Sequence, residues 1–286
     1  MKEGQASRTA ELVAVSRAAH QALDRPLVLE DPIAPRIVSP KAQALLASDP
    51  GKTERSAVSK TMRAGLVVRS RVAEDALAAA VRSGTTQYLV LGAGFDTFAY
   101  RNPHPEVRVF EVDHPSTQTL KRERLAAAAI PIPASLTFVP FDFTGGSLAG
   151  TLAAAGFDAS RPAVIAWLGV SMYLRPDDVA ATLRYAGSLA AGTTIVFDYY
   201  LPVDAVNFIV RFFYKSVLRR LEAAGEPWLS FYTPETIRAE LERAGFTRIE
   251  SLGRETLNTR YLAHRDDGLD MGPLMQIAVA SRQISR

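Results

Sequence analysis

The sequence contains no cysteine among its 286 residues. This absence excludes disulfide bonds, thiolate metal sites and a cysteine nucleophile, and it fits a reducing compartment. No two histidines have the spacing of a zinc motif, and the segment LGVSMYL lacks the second glycine of a G-x-S-x-G elbow. We therefore expect neither a metal centre nor a serine hydrolase.

Long apolar runs and long basic runs are also missing. No uninterrupted apolar segment approaches the length of a membrane span, and residues 1–12 lack the apolar core of a signal peptide. The net charge is +3, and the basic residues are scattered rather than interleaved with aromatic residues. We expect a cytoplasmic protein that binds neither membrane nor nucleic acid. The sequence leaves open whether the chain forms a homo-oligomer.

From residue 85 onwards, short apolar runs alternate with helical segments, which predicts a parallel α/β sheet covered on both faces. The predicted strands span 88–92, 107–113, 136–142, 163–169, 193–200, 246–252 and 274–282. A polar loop is expected between the last two strands. The whole chain is interpreted as one structural domain with its core at 85–286.

Residues 1–84 are predicted to form an N-terminal helical lid segment. Helices are expected at 7–23, near 41–47 and at 53–84. The helix at 53–84 is either continuous or broken in two. The proline-rich segment 30–40 predicts an irregular connection. An insertion at about 201–232 is rich in aromatic residues. At helical spacing this pattern fits either ordinary core or a helical cap over a substrate.

The segment LGAGFDT follows the first predicted strand, at the edge where doubly wound folds bind ligands. Glycines allow the backbone to approach a ligand closely. A dinucleotide loop needs a third glycine where this chain has Thr97, and Asp96 is unfavourable beside a pyrophosphate. The loop therefore favours a cofactor without phosphate.

Acidic residues end the next two predicted strands. Asp113 lies about twenty residues beyond the glycines and suits hydrogen bonds from ribose hydroxyls, with Glu111 as the competing choice. Asp142 is placed to accept a hydrogen bond from an adenine amino group, with Phe143 beside the ring. This combination of glycine loop and two carboxylates suits S-adenosyl-L-methionine.

Six segments carry a family resemblance, and they cover most of residues 7–200 in order: SRTAELVAVSRA, EDPIA, RSRVAEDAL, LVLGAGFDTFAYR, VFEVDHPSTQTLKRERL and AWLGVSMYL. They resemble the leucine carboxyl methyltransferase family, a bacterial branch of S-adenosylmethionine-dependent methyltransferases. The resemblance implies a Rossmann-like class I methyltransferase fold, with a seven-stranded, mostly parallel sheet whose last strand is antiparallel. It fades after residue 200, where substrate contacts are expected.

The resemblance also implies roles for matched positions. Arg69 matches the arginine that holds the methionine carboxylate of the cofactor. Leu168 departs from the pattern, because many members have a glutamate there that approaches the cofactor's amino group. The remaining cofactor-binding positions are the loop residues Gly92, Ala93 and Gly94, the ribose carboxylate Asp113 with its neighbour His114, and the adenine pair Asp142 and Phe143.

Several side chains keep a structural alternative. Arg69 in an apolar stretch also fits an ion pair with Glu74, Asp75 or Asp96, because a buried unpaired charge is costly. Arg101 is expected to pair with Asp96 and brace the loop. Tyr173 either shapes the methyl pocket or packs against the following helix.

Histidines offer few candidates for a catalytic base, and no catalytic residue is assigned. His114 lies on the adenosine side, and His104 is expected in a loop. His20 and His264 are interpreted as surface residues, although either is placed to border a substrate.

These features predict an S-adenosylmethionine-dependent O-methyltransferase acting on a carboxylate or hydroxyl of a small organic molecule. The aromatic insertion favours an apolar metabolite such as a biosynthetic intermediate of secondary metabolism. Two alternatives stay open, namely an NAD(P)-dependent oxidoreductase and a non-catalytic cofactor-binding protein of the same fold.

Overall fold

The computed structural model describes residues 8–52, 56–143, 145–223 and 225–283. Its strands are β1 Gln87–Leu91, β2 Arg108–Asp113, β3 Leu136–Pro140, β4 Val164–Trp167, β5 Thr194–Tyr200, β6 Arg248–Leu252 and β7 Met275–Ser281. They form one sheet in the order β3-β2-β1-β4-β5-β7-β6. Strand β7 is antiparallel to β5 and β6, and the other neighbouring pairs are parallel. The predicted seven-stranded sheet with an antiparallel last strand is confirmed.

The strands separate two apolar cores. In β1, Tyr88 and Val90 belong to one core, and Leu89 and Leu91 belong to the other. All four side chains are buried because the sheet is covered on both faces. Such strands appear in the sequence as continuous apolar runs rather than as an alternation of apolar and polar residues.

Ten α-helices are present in the described residues. They are α1 Arg8–Leu23, α2 Ala34–Ile37, α3 Pro40–Ser48, α4 Ala57–Val81, α5 Pro115–Ala127, α6 Leu148–Ala154, α7 Pro176–Ser188, α8 Phe208–Ala223, α9 Pro234–Arg243 and α10 Arg254–Tyr261. Helix α4 is unbroken, so the predicted helix at 53–84 is a single element over the described part; residues 7 and 53–55 lie outside the described residues. The division of the chain at residue 84 stays a prediction.

Two predicted loops contain helices. The segment 30–40 includes the one-turn helix α2, in which Pro35 occupies the first turn, where a missing N–H costs no hydrogen bond. The expected polar loop between β6 and β7 includes α10, whose Leu257 is fully buried. A single buried leucine leaves little periodicity in the sequence, so tertiary packing decides this helix.

A buried polar cluster joins α1 to α4. The Asp24 carboxylate accepts two hydrogen bonds from Arg63, from Nε at 2.7 Å and from Nη2 at 2.9 Å. His20 Nδ1 lies 2.7 Å from Asp24, while His20 Nε2 accepts a bond from the Val28 N–H. His20 is fully buried, so the expectation that it lies at the surface is wrong. It faces the apolar interior because its two ring nitrogens both have partners.

Asp24→Asn is expected to lower the free energy of unfolding by about 3 kcal/mol near neutral pH, because it removes the charge from a buried carboxylate that accepts two hydrogen bonds from the Arg63 guanidinium. Burial alone would raise the pKa of Asp24, but hydrogen bonds from His20 and Arg63 lower it from 3.8 to about 2. The ionised carboxylate therefore contributes its full stabilisation above about pH 4, and this is lost as the pH falls through about 2.

Denaturant unfolding of wild type and Asp24→Asn across this pH range checks the expectation. The difference between them should narrow between about pH 4 and pH 2. The substitution Glu123→Gln, at an exposed position of α5, serves as the control and should change stability little at any pH. A wild-type advantage that stays constant down to pH 2 would contradict the assignment.

Candidate functional site

A cavity of about 570 Å³ opens at the carboxyl ends of the parallel strands. Because these strands are parallel, the residues that follow β1, β2, β3 and β4 lie side by side at this edge of the sheet. The nine predicted cofactor-binding residues and the predicted methyl-pocket residue Tyr173 all line this one cavity, the nine being Arg69, Gly92, Ala93, Gly94, Asp113, His114, Asp142, Phe143 and Leu168. Residues from α1 and from the loop after α8 complete the wall.

The glycine loop after β1 requires its glycines. Gly92 has φ +69° and Gly94 has φ +49°, a region that side chains disfavour. A Cβ at Gly92 would also lie 2.3 Å from Cγ2 of Val170. The Gly92 and Ala93 N–H groups both donate to the Val112 carbonyl, which ties the loop to β2.

Asp113 anchors the loop from the neighbouring strand. Its carboxylate accepts hydrogen bonds from the N–H groups of Gly94 at 2.5 Å and His114 at 2.6 Å. Burial raises the pKa of Asp113, and these two backbone bonds oppose the rise. Both acceptor oxygens are thus oriented by backbone, and the carboxylate still borders the cavity.

Glu111, the competing ribose residue, does not line the cavity. It is 1% exposed and forms an ion pair with Lys121, with 2.6 Å between Nζ and Oε2. Burial raises the pKa of Glu111 to about 7, although the nearby Lys121 ammonium opposes the rise. Strand alternation places Glu111 and Asp113 on one face, but only Asp113 reaches the strand end that opens to the cavity.

The far end of the cavity is aromatic. Phe141 and Phe143 meet edge to face, with ring centroids 5.2 Å apart. Asp142 between them is exposed, and its carboxylate lies 4.0 Å from Nε2 of His114. His114 in turn caps α5, accepting a bond from the Ser116 N–H. Phe141 was not predicted as a site residue, although it precedes Asp142 in the segment PFDF (140–143) just as Phe143 follows it.

Arg69 lines the cavity and forms an ion pair that was not predicted from the sequence. Its Nη1 lies 2.9 Å from Oδ2 of Asp198 on β5, and not beside Glu74, Asp75 or Asp96. Asp198 is fully buried and also accepts a 2.6 Å bond from the Gly169 N–H. The available signal was an acidic residue inside the apolar run TIVFDYY.

The cavity end of β4 carries Leu168 and Gly169. A Cβ at Gly169, which has φ +74°, would lie 2.6 Å from the Arg69 guanidinium. The close approach of Arg69 to this backbone therefore depends on glycine. A buried carboxylate does reach this strand end, but it comes from Asp198 rather than from residue 168.

A buried ionic network, here called the loop brace, fixes the glycine loop to the N-terminal segment. Thr97 Oγ1 accepts a 2.5 Å bond from Arg17 on α1 and donates a 2.6 Å bond to Asp31. Arg17 also pairs directly with Asp31. Burial would raise the pKa of Asp31, but Arg17 and Arg101 outweigh burial and lower it.

Arg101 belongs to the same brace in a different way from the predicted one. It pairs with Glu74 on α4, including a 2.8 Å bond from Nη1, and lies 3.5 Å from Asp31. Asp96 instead accepts a 2.8 Å bond from the Phe98 N–H and lies 3.6 Å from Arg17. The predicted Arg101–Asp96 pair is therefore replaced, although Arg101 still braces the loop region.

Tyr173 lines the same cavity from a short 3-10 turn, Ser171–Tyr173, that follows β4. Its ring centroid is 6.4 Å from that of Trp228, which follows α8 and packs at a tilt against Tyr200, with 4.1 Å between the ring centroids. Burial raises the pKa of the Tyr173 phenol, while hydrogen bonds with Trp228 and Thr9 oppose the rise. Among the other histidines, His104 lies in a loop, as predicted, and is half-buried. His264 is exposed, as predicted.

Comparison with known proteins establishes the family. A model described as leucine carboxyl methyltransferase matches residues 10–187. A Bacillus subtilis (strain 168) protein named "Putative S-adenosyl-L-methionine-dependent methyltransferase YktD" is 31% identical over 298 residues, covering 94% of this chain and 95% of that protein. The chain belongs to the leucine carboxyl methyltransferase family. This membership confirms the family predicted from the sequence motifs, and with it S-adenosyl-L-methionine as the cofactor.

Solved structures agree with the fold of a leucine carboxyl methyltransferase family member. A crystal structure described as a putative methyltransferase from Thermobifida fusca YX has TM-score 0.60 and 18% identity, covering 99% of this chain and 97% of that one. A DUF574 family protein from Streptomyces avermitilis has TM-score 0.52 at 18% identity, covering 93% and 97%. Both likenesses concern the fold alone.

Two kinds of feature are absent from the described residues. No group of three or more histidine, aspartate or glutamate side chains in that part of the chain is arranged to hold a metal ion. None of the helices found there combines the length and the apolar character that crossing a membrane requires.

Proposed function

We propose that this S-adenosylmethionine-dependent methyltransferase transfers a methyl group to an oxygen atom of a small, apolar organic molecule in the cytoplasm. The observation that carries the proposal is the single cavity that joins all predicted cofactor residues to an apolar wall beside Tyr173. That wall includes residues of α1 and of the segment 225–229 at the end of the insertion after β5, which supports a lid role for residues 1–84 and a cap role for this end of 201–232. Such walls exclude water from a reacting centre.

The residues of the cavity fit the cofactor. In the proposal, Asp113 accepts hydrogen bonds from the ribose, and Phe141 and Phe143 flank the adenine, with Asp142 facing its amino group. Arg69 holds the methionine carboxylate, because a guanidinium matches carboxylate geometry and Asp198 fixes its position. When bound, the cofactor supplies an electrophilic methyl group on a sulfonium centre.

The same charges disfavour the NAD(P) alternative. The cavity wall carries the carboxylates of Asp96 in the glycine loop, of Asp113, which accepts a bond from the Gly94 N–H, and of Asp142 after β3. A pyrophosphate at this loop would meet like charges and would lack the third glycine of a dinucleotide site. Calorimetry should therefore detect S-adenosylhomocysteine binding and no NAD⁺ binding, and the reverse result would overturn the cofactor assignment.

Asp113→Asn is expected to weaken S-adenosylhomocysteine binding by about 30-fold, because it removes the charge from hydrogen bonds to the ribose. Calorimetric titration of the purified variant measures this. Glu123→Gln on α5 is the matched control, since it removes an exposed carboxylate outside the cavity and should bind like wild type. Equal affinities for wild type and Asp113→Asn would show that the ribose is held elsewhere.

Turnover separates the enzyme from a non-catalytic relative. Incubation with methyl-labelled S-adenosylmethionine and a panel of apolar alcohols, phenols and carboxylic acids should transfer label to at least one small acceptor. Transfer to peptide C-termini alone would overturn the small-molecule proposal, and binding without transfer to any acceptor would favour the non-catalytic alternative.

A further inference from the structure

One wall of the cavity has no part in the predicted cofactor contacts. It is formed by Thr9 at the start of α1, Tyr173 after β4 and Glu226 in the loop after α8. Thr9 Oγ1 donates a hydrogen bond to the Glu226 carboxylate, and the Tyr173 hydroxyl interacts with Thr9 and with the charge of Glu226. Three segments far apart in the sequence thus bring two hydroxyls and one carboxylate together.

The surroundings of this polar group are apolar. Pro227 and Leu229 flank Glu226, and the ring of Trp228 packs on Tyr200 behind them. The aliphatic side chains of Val13, Val170 and Leu174 line the same cavity. An acceptor that fills this space is therefore an apolar molecule with one polar atom directed at Glu226.

The charges here distinguish two acceptor classes. Arg69 and Arg17 line the cavity, but in the proposed binding mode Arg69 is taken by the methionine carboxylate of the cofactor, and Arg17 pairs with the buried Asp31. Among the side chains that the structure describes, the contact found for Glu226 is the Thr9 hydroxyl, and no cation pairs with it. An ionised acceptor carboxylate would face the Glu226 carboxylate at short range, which disfavours it. A neutral hydroxyl would donate to the same group.

We propose that Glu226 binds the acceptor hydroxyl and serves as its general base, so that the acceptor is an apolar alcohol or phenol rather than a carboxylic acid. This inference rests on the proposed methyltransferase function. The hydroxyl proton passes to the Glu226 carboxylate while the acceptor oxygen bonds to the methyl carbon. The methyl–sulfur bond breaks with its electron pair on sulfur, and Glu226 then releases the proton to solvent.

Binding tests the charge argument without turnover. The protein saturated with S-adenosylhomocysteine is titrated at neutral pH with para-butylphenol and para-butylbenzoate, which share an apolar body and differ in charge. Wild type should bind the phenol at least about tenfold more tightly. Glu226→Gln should strengthen benzoate binding by about tenfold, whereas Glu222→Gln, at an exposed position on α8, should resemble wild type.

A rate measurement tests the role as a base. Glu226→Gln should slow methyl transfer to para-butylphenol by about 100-fold or more, while its affinity for S-adenosylhomocysteine stays that of wild type. An unchanged rate would overturn the assignment of Glu226 as the base. Equal or tighter binding of the benzoate by wild type, or no binding of either probe at millimolar levels, would overturn the acceptor class. Failure of wild type to bind S-adenosylhomocysteine would instead contradict the proposed function itself.

Discussion

Gly92→Ala is expected to weaken S-adenosylhomocysteine binding by about 100-fold. A side chain at φ +69° costs about 1–2 kcal/mol, and the Cβ would lie 2.3 Å from Val170, which adds about 1–3 kcal/mol of overpacking. Val170 also lines the cavity, so relief of the contact moves either this side chain or the loop. Either movement alters the surface against which the cofactor is proposed to lie.

Two further variants separate the contact from the backbone cost. Gly84→Ala has the same kind of backbone strain at φ +89° but meets nothing within 4 Å, and it should leave the affinity unchanged. The double variant Gly92→Ala/Val170→Ala removes the Cγ atoms and should recover about tenfold of the lost affinity, the part due to overpacking. Calorimetry with all three variants checks this. Wild-type affinity in Gly92→Ala alone would show that the loop does not shape the cofactor site.

The sheet was predictable because its strands are short apolar runs separated by helical segments. The segment YLVLG corresponds to β1, and TTIVFDYY corresponds to β5, each within one residue at either end. The bounds are clear because strands buried on both faces change abruptly to polar connections. The helix α10 was not predictable in this way, since Leu257 is its one buried side chain and propensity alone is a weak guide.

The site was predictable where it depends on local sequence. The glycine loop and Asp113 come from consecutive strand–loop units, so their meeting at one sheet edge follows from the topology. The partner of Arg69 was not predictable, because Asp198 is 129 residues away along the chain. A buried arginine indicates that a carboxylate is near, but the sequence does not show which of several acidic residues pairs with it.

The loop brace joins four of the six motifs that carry the family resemblance. Its residues come from four separate quoted motifs: Arg17 from SRTAELVAVSRA, Asp31 from EDPIA, Glu74 from RSRVAEDAL, and Asp96, Thr97 and Arg101 from LVLGAGFDTFAYR. Each of these four motifs therefore contributes to one buried network that holds the glycine loop against α1 and α4. We infer that this network links the stability of the N-terminal segment to the shape of the site.

Asp31→Asn is expected to lower the free energy of unfolding by about 4 kcal/mol, because Asp31 is fully buried and Arg17 would lose its direct counter-ion, while Arg101 would keep Glu74 but lose the nearby charge of Asp31. A loss of this size lowers the melting temperature by about 8–16 °C in a protein of this length. The amide still accepts the Ala34 N–H bond, so the effect reports the lost charge rather than a lost turn. Because the N-terminal segment would loosen, S-adenosylhomocysteine affinity should fall as well.

An exposed ion pair provides the matched control for Asp31→Asn. Glu250 pairs with Arg260 at 2.9 Å, with both side chains nearly half exposed, so Glu250→Gln should cost at most about 1 kcal/mol. Thermal unfolding with and without S-adenosylhomocysteine distinguishes the variants. If Asp31→Asn matched Glu250→Gln in stability, the brace would add little to the fold. If it lost stability but bound the ligand as wild type does, the brace would support the fold without shaping the site.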